Sequence, residues 1–151
     1  PMPGAAEAVE GLAERGLTLG IVSNAQFYTP LVIEALLGGP VGEIGFTEDL
    51  CIWSWKLREA KPSPQLFEHA LESLRARHGI SADEVLYVGN DMRNDIRPSK
   101  ELGCAAALFA GDLRSLRLRN DDPSMRGVEP EATITHLGQL SRVVPGLYVT
   151  R

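Results

Sequence analysis

The chain has 151 residues and a mass of 16.4 kDa, with 44% hydrophobic and 23% charged residues, which excludes fibrous and disordered classes. A chain of about 150 residues buries roughly 70% of its unfolded surface, so a single domain over residues 1–151 needs no metal or disulfide staple. Fifteen Lys plus Arg against twenty Asp plus Glu leave a net charge of −5, the wrong sign for gripping nucleic acid, and no apolar run is long enough to span a membrane. The first residues lack the basic start and apolar stretch of a secretory leader. With neither span nor leader, the chain is expected to be soluble and cytoplasmic, and Cys51 and Cys104, far apart inside apolar runs, read as buried, reduced thiols.

From Ala5 to Arg15 the apolar positions Ala5, Ala8, Val9, Leu12 and Ala13 recur on one helical face, stopped by Gly16. Leu17 to Val22 is a nearly continuous apolar run that ends in Ser23 and Asn24, the pattern of a buried parallel strand. Thr29 and Pro30 open a second helix over Leu31 to Leu37. Gly45 to Trp55 reads as a strand from its β-branched and aromatic content, with Trp53 and Trp55 on one face in core or interface packing. Ser63 and Pro64 open a third helix with the face Phe67, Ala70, Leu71 and Leu74, closed by Gly79. Glu84 to Val88 is a short strand leading into Gly89, Asn90 and Asp91. Asp95 to Leu102 reads as a helix ended by Gly103, and Ala105 to Phe109 as a strand. Gly111 to Glu131 is loop-like, and Thr133 to Leu140 adds a short strand and a terminal helix.

Alternating helices and strands, with strands too apolar to have a wet face, imply an α/β fold: a Rossmann-like three-layer arrangement with helices on both faces of a parallel sheet. Ligands collect at the carboxyl ends of such strands. There stand Ser23 and Asn24, then the stretch leading to Lys61, then Asn90, Asp91 and Asp95. Taken singly, each has a plain structural reading. Ser-Asn makes a turn or helix cap, a lone lysine is solvated, and aspartates favour the positive end of a helix. In this order and at these strand ends, the three groups together can serve a phosphoryl group. A hydroxyl and backbone N–H groups accept a phosphoryl oxygen, lysine supplies a fixed positive charge, and magnesium reconciles the carboxylates with an anionic substrate.

These residues resemble the motifs of the haloacid dehalogenase (HAD) superfamily of hydrolases, over nearly the whole chain. GIVSNAQ at Gly20 to Gln26 is similar to its second motif, AKPSPQLF at Ala60 to Phe67 to its third, and YVGNDMRNDI at Tyr87 to Ile96 to its fourth. The resemblance implies that Ser23 holds the phosphoryl group with Asn24 assisting, and that Lys61 balances the charge of nucleophile and phosphate. It further implies that Asn90, Asp91 and Asp95 help to hold Mg2+. Many relatives carry an aspartate where Asn90 stands, with the carboxylate here one place later at Asp91. Which of the two faces the metal is therefore open, as is whether Asp91 and Asp95 supply its charge or hold Lys61.

The superfamily's first motif, an Asp-x-Asp pair that supplies nucleophile and general acid, has no counterpart in the 151 residues. The chain is thus expected to be a HAD-like core without its first strand and cap, inactive alone and associating with the missing amino-terminal segment. The implied activity is magnesium-dependent hydrolysis of a small phosphorylated metabolite through an aspartyl-phosphate. The alternatives are a dehalogenase whose aspartate attacks carbon and a non-catalytic interaction module on the same scaffold. Lys61→Ala and Asp95→Ala are expected to cut turnover and leave folding largely intact. His69, His78 and His136 have no metal spacing and read as surface or capping residues. Arg114, Arg117 and Arg119, beside Asp112, Asp121 and Asp122, read as a solvated loop that pairs within itself.

Overall fold

The structure, a computed structural model, describes residues 2–148. Helix α1 spans Ala5–Glu14, as its apolar spacing predicts, and β1 follows at Ile21–Ser23, shorter than the apolar run around it. Leu17 to Gly20 stay outside the ladder, although the Leu19 carbonyl accepts from the Thr47 N–H at 2.8 Å. Helix α2, Thr29–Leu37, starts with its proline in the first turn.

The next segment departs from its expected form. Only Cys51–Trp53 forms a strand, β2; the acidic residues before it lie in a 3-10 turn at Glu48–Leu50, and Ser54–Leu57 begins a short helix, α3. Trp53 and Trp55 therefore do not alternate on one strand face. Trp53 is 3% exposed and packs with Ala25 and Cys51, whereas Trp55 is 41% exposed on α3.

Helix α4, Gln65–Ser73, is lengthened by a wider helical turn, Leu74–His78, and ends at Gly79 in the left-handed conformation. Its buried face is Leu66, Phe67, Ala70 and Leu74, and it packs on β1 and β2. Strand β3 is Leu86–Gly89; the Glu84 expected to start it instead completes a capping box with Ser81 in the turn Ala82–Glu84. The next helical stretch begins earlier than expected, with a wide turn at Met92–Ile96 running into α5, Arg97–Glu101. Strand β4 is Ala105–Phe109, β5 is Ala132–Ile134 and α6 is Leu140–Tyr148, with mostly irregular backbone between β4 and β5.

All strand pairs are parallel, but they form two sheets: β1 with β2, and β3-β4-β5 with β4 in the middle. The division falls between the strands that lead into the second-motif-like and fourth-motif-like segments. Two cores follow from it. One gathers Met92, Ile96, Ala106 and Leu108 with Leu116, Met125 and Val128; the other gathers Ala25, Cys51 and Trp53 with Ile21, Ile33, Val41 and Phe46. Both cysteines are free and buried, and burial raises each thiol pKa to about 11. Among the described residues no helix is long and apolar enough to cross a membrane.

Candidate active site

Of the residues predicted at the strand ends, Asn24 and Asp95 converge on Lys61, while Ser23, Asn90 and Asp91 do not bond to it. The Asn24 side chain clasps the lysine backbone at both ends: Asn24 Nδ2 donates to the Lys61 carbonyl at 3.0 Å, and the Lys61 N–H donates to Asn24 Oδ1 at 2.7 Å. This uses the amide's inward-facing donor and acceptor, so the Asn24 side chain serves to set the lysine's place. The Lys61–Pro62 peptide is cis. From this anchor Lys61 Nζ reaches Asp95 Oδ1 at 2.6 Å, the Val22 carbonyl at 3.0 Å and the Tyr87 hydroxyl at 3.0 Å. The Lys61 and Asp95 side chains are only 11% and 7% exposed.

Asp95 is held equally firmly. Its Oδ2 accepts from the backbone N–H groups of Asn90 and Asp91 at 3.1 and 3.0 Å, while Oδ1 faces Lys61. The approach to β3 is so close that a Cβ on Gly89 would lie 2.3 Å from the Asp95 Cβ, which explains a glycine at the end of that strand. The fourth-motif-like segment thus folds back on itself, with the Asp95 carboxylate filling the place a side chain at Gly89 would take.

Asp91 faces other partners. It caps the following turn by accepting from the N–H groups of Arg93 and Asn94, and Arg119 grips it through Nε at 3.0 Å and Nη2 at 2.5 Å. Burial opposes ionisation of Asp91, but the Arg119 guanidinium and the two N–H donors outweigh it and hold the carboxyl below its ordinary pKa. The loop carrying Arg119 is stitched alongside by two backbone bonds, Arg117 N–H to the Asn90 carbonyl and Met92 N–H to the Arg117 carbonyl, each 2.9 Å. Arg114 does pair within its loop, with Asp112, but Arg119 leaves it for Asp91. Asn90 Nδ2 donates to the Ser115 carbonyl at 2.8 Å, and its Oδ1 has no partner among the described residues.

The Ser23 hydroxyl, at the end of β1, likewise has no partner among the described residues and is partly exposed. The sequence reading overlooked Tyr87, whose hydroxyl lies between Lys61 and the Val22 carbonyl, donating to the latter at 3.0 Å. The available signal was a polar-tipped ring inside an otherwise apolar strand. Of the histidines, His136 caps a turn through Nδ1, His78 pairs with Asp49, and His69 is exposed.

Magnesium demands octahedral oxygen coordination and is usually held through one or two carboxylates. Among the described residues no group of three or more His, Cys, Asp or Glu could hold a metal ion. Asp91 is taken by Arg119 and Asp95 by Lys61, which leaves Asn90 Oδ1 as the unpartnered oxygen of the three candidates. The residues present do not by themselves fit the ion.

A family model for haloacid dehalogenase-like hydrolases matches residues 1–103. The chain belongs to this family. Among curated relatives, the HAD-like chain is 26% identical over 145 residues to a ribulose-1,5-bisphosphate 5-phosphatase from Halopiger xanaduensis, covering 95% of this chain and 56% of that protein. It is 32% identical over 103 residues to a glyceraldehyde 3-phosphate phosphatase from Methanocaldococcus jannaschii, covering 68% of this chain and 41% of the relative. It therefore spans about half the length of these relatives. A HAD phosphatase from Thermococcus onnurineus superposes with a TM-score of 0.71 at 24% identity, over 95% of this chain and 58% of that one. Solved dehalogenases superpose with TM-scores of 0.66 and 0.69, so the HAD-like fold alone does not separate the two chemistries.

Proposed function

We propose that this HAD-family chain is the phosphate-holding part of a cytoplasmic phosphatase acting on a small phosphomonoester, with the nucleophilic aspartate on a segment outside the 151 residues. The observation that carries the reading is the Lys61 ammonium, held by Asp95 and donating to the carbonyl of Val22, the residue before Ser23, whose hydroxyl has no partner among the described residues. The division between β1 and β3 gives the outside segment a place to pair as an additional parallel strand. There, its aspartate attacks phosphorus, the ester oxygen leaves, and water then hydrolyses the aspartyl-phosphate. The Ser23 hydroxyl donates to a non-bridging phosphoryl oxygen. Lys61 offsets the charge that collects as a carboxylate and a phosphate are brought together. Asn24 and Asp95 hold that lysine from its two ends. With Asp91 and Asp95 engaged by Arg119 and Lys61, carboxylates for a magnesium ion come from the outside segment.

The curated relatives favour small sugar phosphates as substrates, beginning with a sugar bisphosphate and a triose phosphate. The net charge of −5 argues against nucleic acid as a partner. A second reading, dehalogenation of a small haloacid, is a reaction that needs no metal and draws on the engagement of Asp95 by Lys61 and of Asp91 by Arg119, which commits both carboxylates to basic partners.

Phosphate release from p-nitrophenyl phosphate and small sugar phosphates, with added magnesium and with chelator, tests the proposal on the 151 residues alone and on a longer form that includes an Asp-x-Asp segment. Turnover by the longer form only is expected. Turnover by the 151 residues alone would overturn an outside nucleophile. Halide release from a 2-haloacid without phosphate release would move the assignment to the second reading.

A further inference from the structure

An ammonium group carries three N–H donors, and in Lys61 all three end on oxygens of this chain: Asp95 Oδ1, the Val22 carbonyl and the Tyr87 hydroxyl. The Asp95 carboxylate supplies the charge and the Val22 carbonyl comes with the backbone of β1, so the hydroxyl is the added feature. Tyr87 stands on β3 with its ring against Phe67, centroids 4.8 Å apart and planes at 55°. Phenylalanine would make that packing equally well. The hydroxyl adds a link across the division between the sheets, donating to the Val22 carbonyl of β1 at 3.0 Å while accepting from Lys61 at the same distance. Burial, and then the neighbouring Asp95 carboxylate, push the phenol pKa well up, so the proton needed for that double role stays on the oxygen.

We infer that Tyr87 is a positioning residue for Lys61: its hydroxyl fixes the direction of the ammonium between Asp95 and the end of β1. A lysine ammonium is a compact charge on a flexible four-carbon stem and has no preferred orientation of its own. Asp95 satisfies one donor and leaves the group free to swivel about that bond. Val22 and Tyr87 take the other two donors and are themselves joined by a hydrogen bond, so the acceptors form a connected set rather than three independent contacts. Without the hydroxyl, one Lys61 donor loses its acceptor, and β1 and β3 lose the side-chain bridge at this point. The geometric part of the inference is independent of the reaction; its consequence for turnover rests on the phosphatase reading.

Tyr87→Phe separates the hydroxyl from the ring. In the 151-residue chain labelled with 15N, the Lys61 side-chain ammonium is expected as a slowly exchanging proton–nitrogen signal in the parent. Tyr87→Phe should shift it or broaden it beyond detection, with the backbone amide spectrum changed only around Val22, Lys61 and Asp95. An identical Lys61 signal in the variant overturns the inference, as does the absence of a slowly exchanging Lys61 signal in the parent. In the longer form that hydrolyses p-nitrophenyl phosphate, Tyr87→Phe should lower kcat about tenfold and leave KM within about twofold. Phe67→Leu, which loosens the ring packing and retains the hydroxyl, should lower thermal stability without that loss of kcat. Unchanged kcat in Tyr87→Phe overturns the consequence for turnover. If no form releases phosphate, the phosphatase reading falls, and the ammonium spectrum alone decides whether Tyr87 positions Lys61.

Discussion

Around β3-β4-β5, the helical stretch from Met92 to Glu101 buries Met92, Asp95, Ile96, Pro98 and Ser99; in the amino-terminal half α4 buries Leu66, Phe67 and Ala70 against β1-β2, but neither α1 nor α2 has a fully buried residue. Strand β4 buries Ala106, Ala107 and Leu108, while β1 buries none of its three residues. The carboxyl-terminal half also uses its charges as fasteners: Asp91 to Arg119, and Glu131 to Lys100 and the Ala106 N–H. The amino-terminal half shows Phe27 at 69% and Leu31 at 62% exposure. The site is distributed across this difference. Ser23, Asn24 and Lys61 precede β3 in the chain, but Asp95 and Tyr87, which place the lysine ammonium, belong to the better-packed half.

Removing the main bridge should have the largest effect. Lys61→Ala leaves the Asp95 carboxylate buried and without its cation, a loss of about 3–5 kcal/mol, measured by urea unfolding of the 151-residue chain. The burial of both partners thus revises the sequence-based expectation that this substitution spares folding. Native-state hydrogen exchange should show β1-β2 losing protection before β3-β5. A loss under about 1 kcal/mol would mean that the pair does not join the halves. Gly89→Ala is expected next, at about 2–3 kcal/mol, because its Cβ would meet the Asp95 Cβ at 2.3 Å and neither is the end of a flexible chain. Gly89→Ala with Asp95→Gly, which clears the space, should recover part of that loss at the glycine and expose the cost of stranding Lys61.

Hydrophobic periodicity made α1, α4 and β4 legible, since each repeats its apolar residues on one face or in one run, and the strand ends singled out Ser23, Lys61 and Asp95, of which the structure brings Lys61 and Asp95 into contact. Periodicity carries no information about which parallel strands pair, so the separation into two sheets was visible only through the HAD resemblance and its expected missing strand. The span Gly45 to Trp55 misled because aromatic content signals burial as readily as it signals a strand: Trp53 is buried in β2 and Trp55 lies outside it. Arg119 was missed for a different reason. Its acidic neighbours in sequence offered partners, but the chain turns at Arg119 with φ of 58° and delivers the guanidinium to Asp91, 28 positions away.

Asp91 tests whether the charge fasteners of the carboxyl-terminal half matter as its apolar packing does. Its folded-state pKa is depressed below the ordinary 3.8, so its contribution is fully present above that value and is lost as pH falls through the folded-state value. Asp91→Asn should therefore cost about 1–2 kcal/mol at neutral pH, with the partly exposed arginine keeping the effect modest, and should flatten the acid limb of the stability curve. Arg119→Lys should retain less than the full effect because a lysine cannot reproduce the two-point grip. A stability curve in Asp91→Asn parallel to the parent's through the acid limb would remove Asp91 as its source.

The smallest effect belongs to the amino-terminal half, and it sharpens the comparison because the residue involved is a tryptophan. Trp55→Ser on α3 should change stability by no more than about 0.5 kcal/mol, since a ring 41% exposed with Lys56 5.6 Å from its centroid has little buried area to lose. Trp53 makes the contrast inside the same short segment: 3% exposed and packed on Ala25 and Cys51, it cannot be truncated without opening the core beneath β2. Measured side by side by urea unfolding, the pair asks whether the weaker half has a true core under a loosely covered surface. Equal losses at the two tryptophans would place Trp55 in a buried contact and break the comparison; a large loss at Trp53 with almost none at Trp55 would place the weakness of that half in its outer helices α1 and α2, not in the sheet that carries Ser23 or in α4 packed on it.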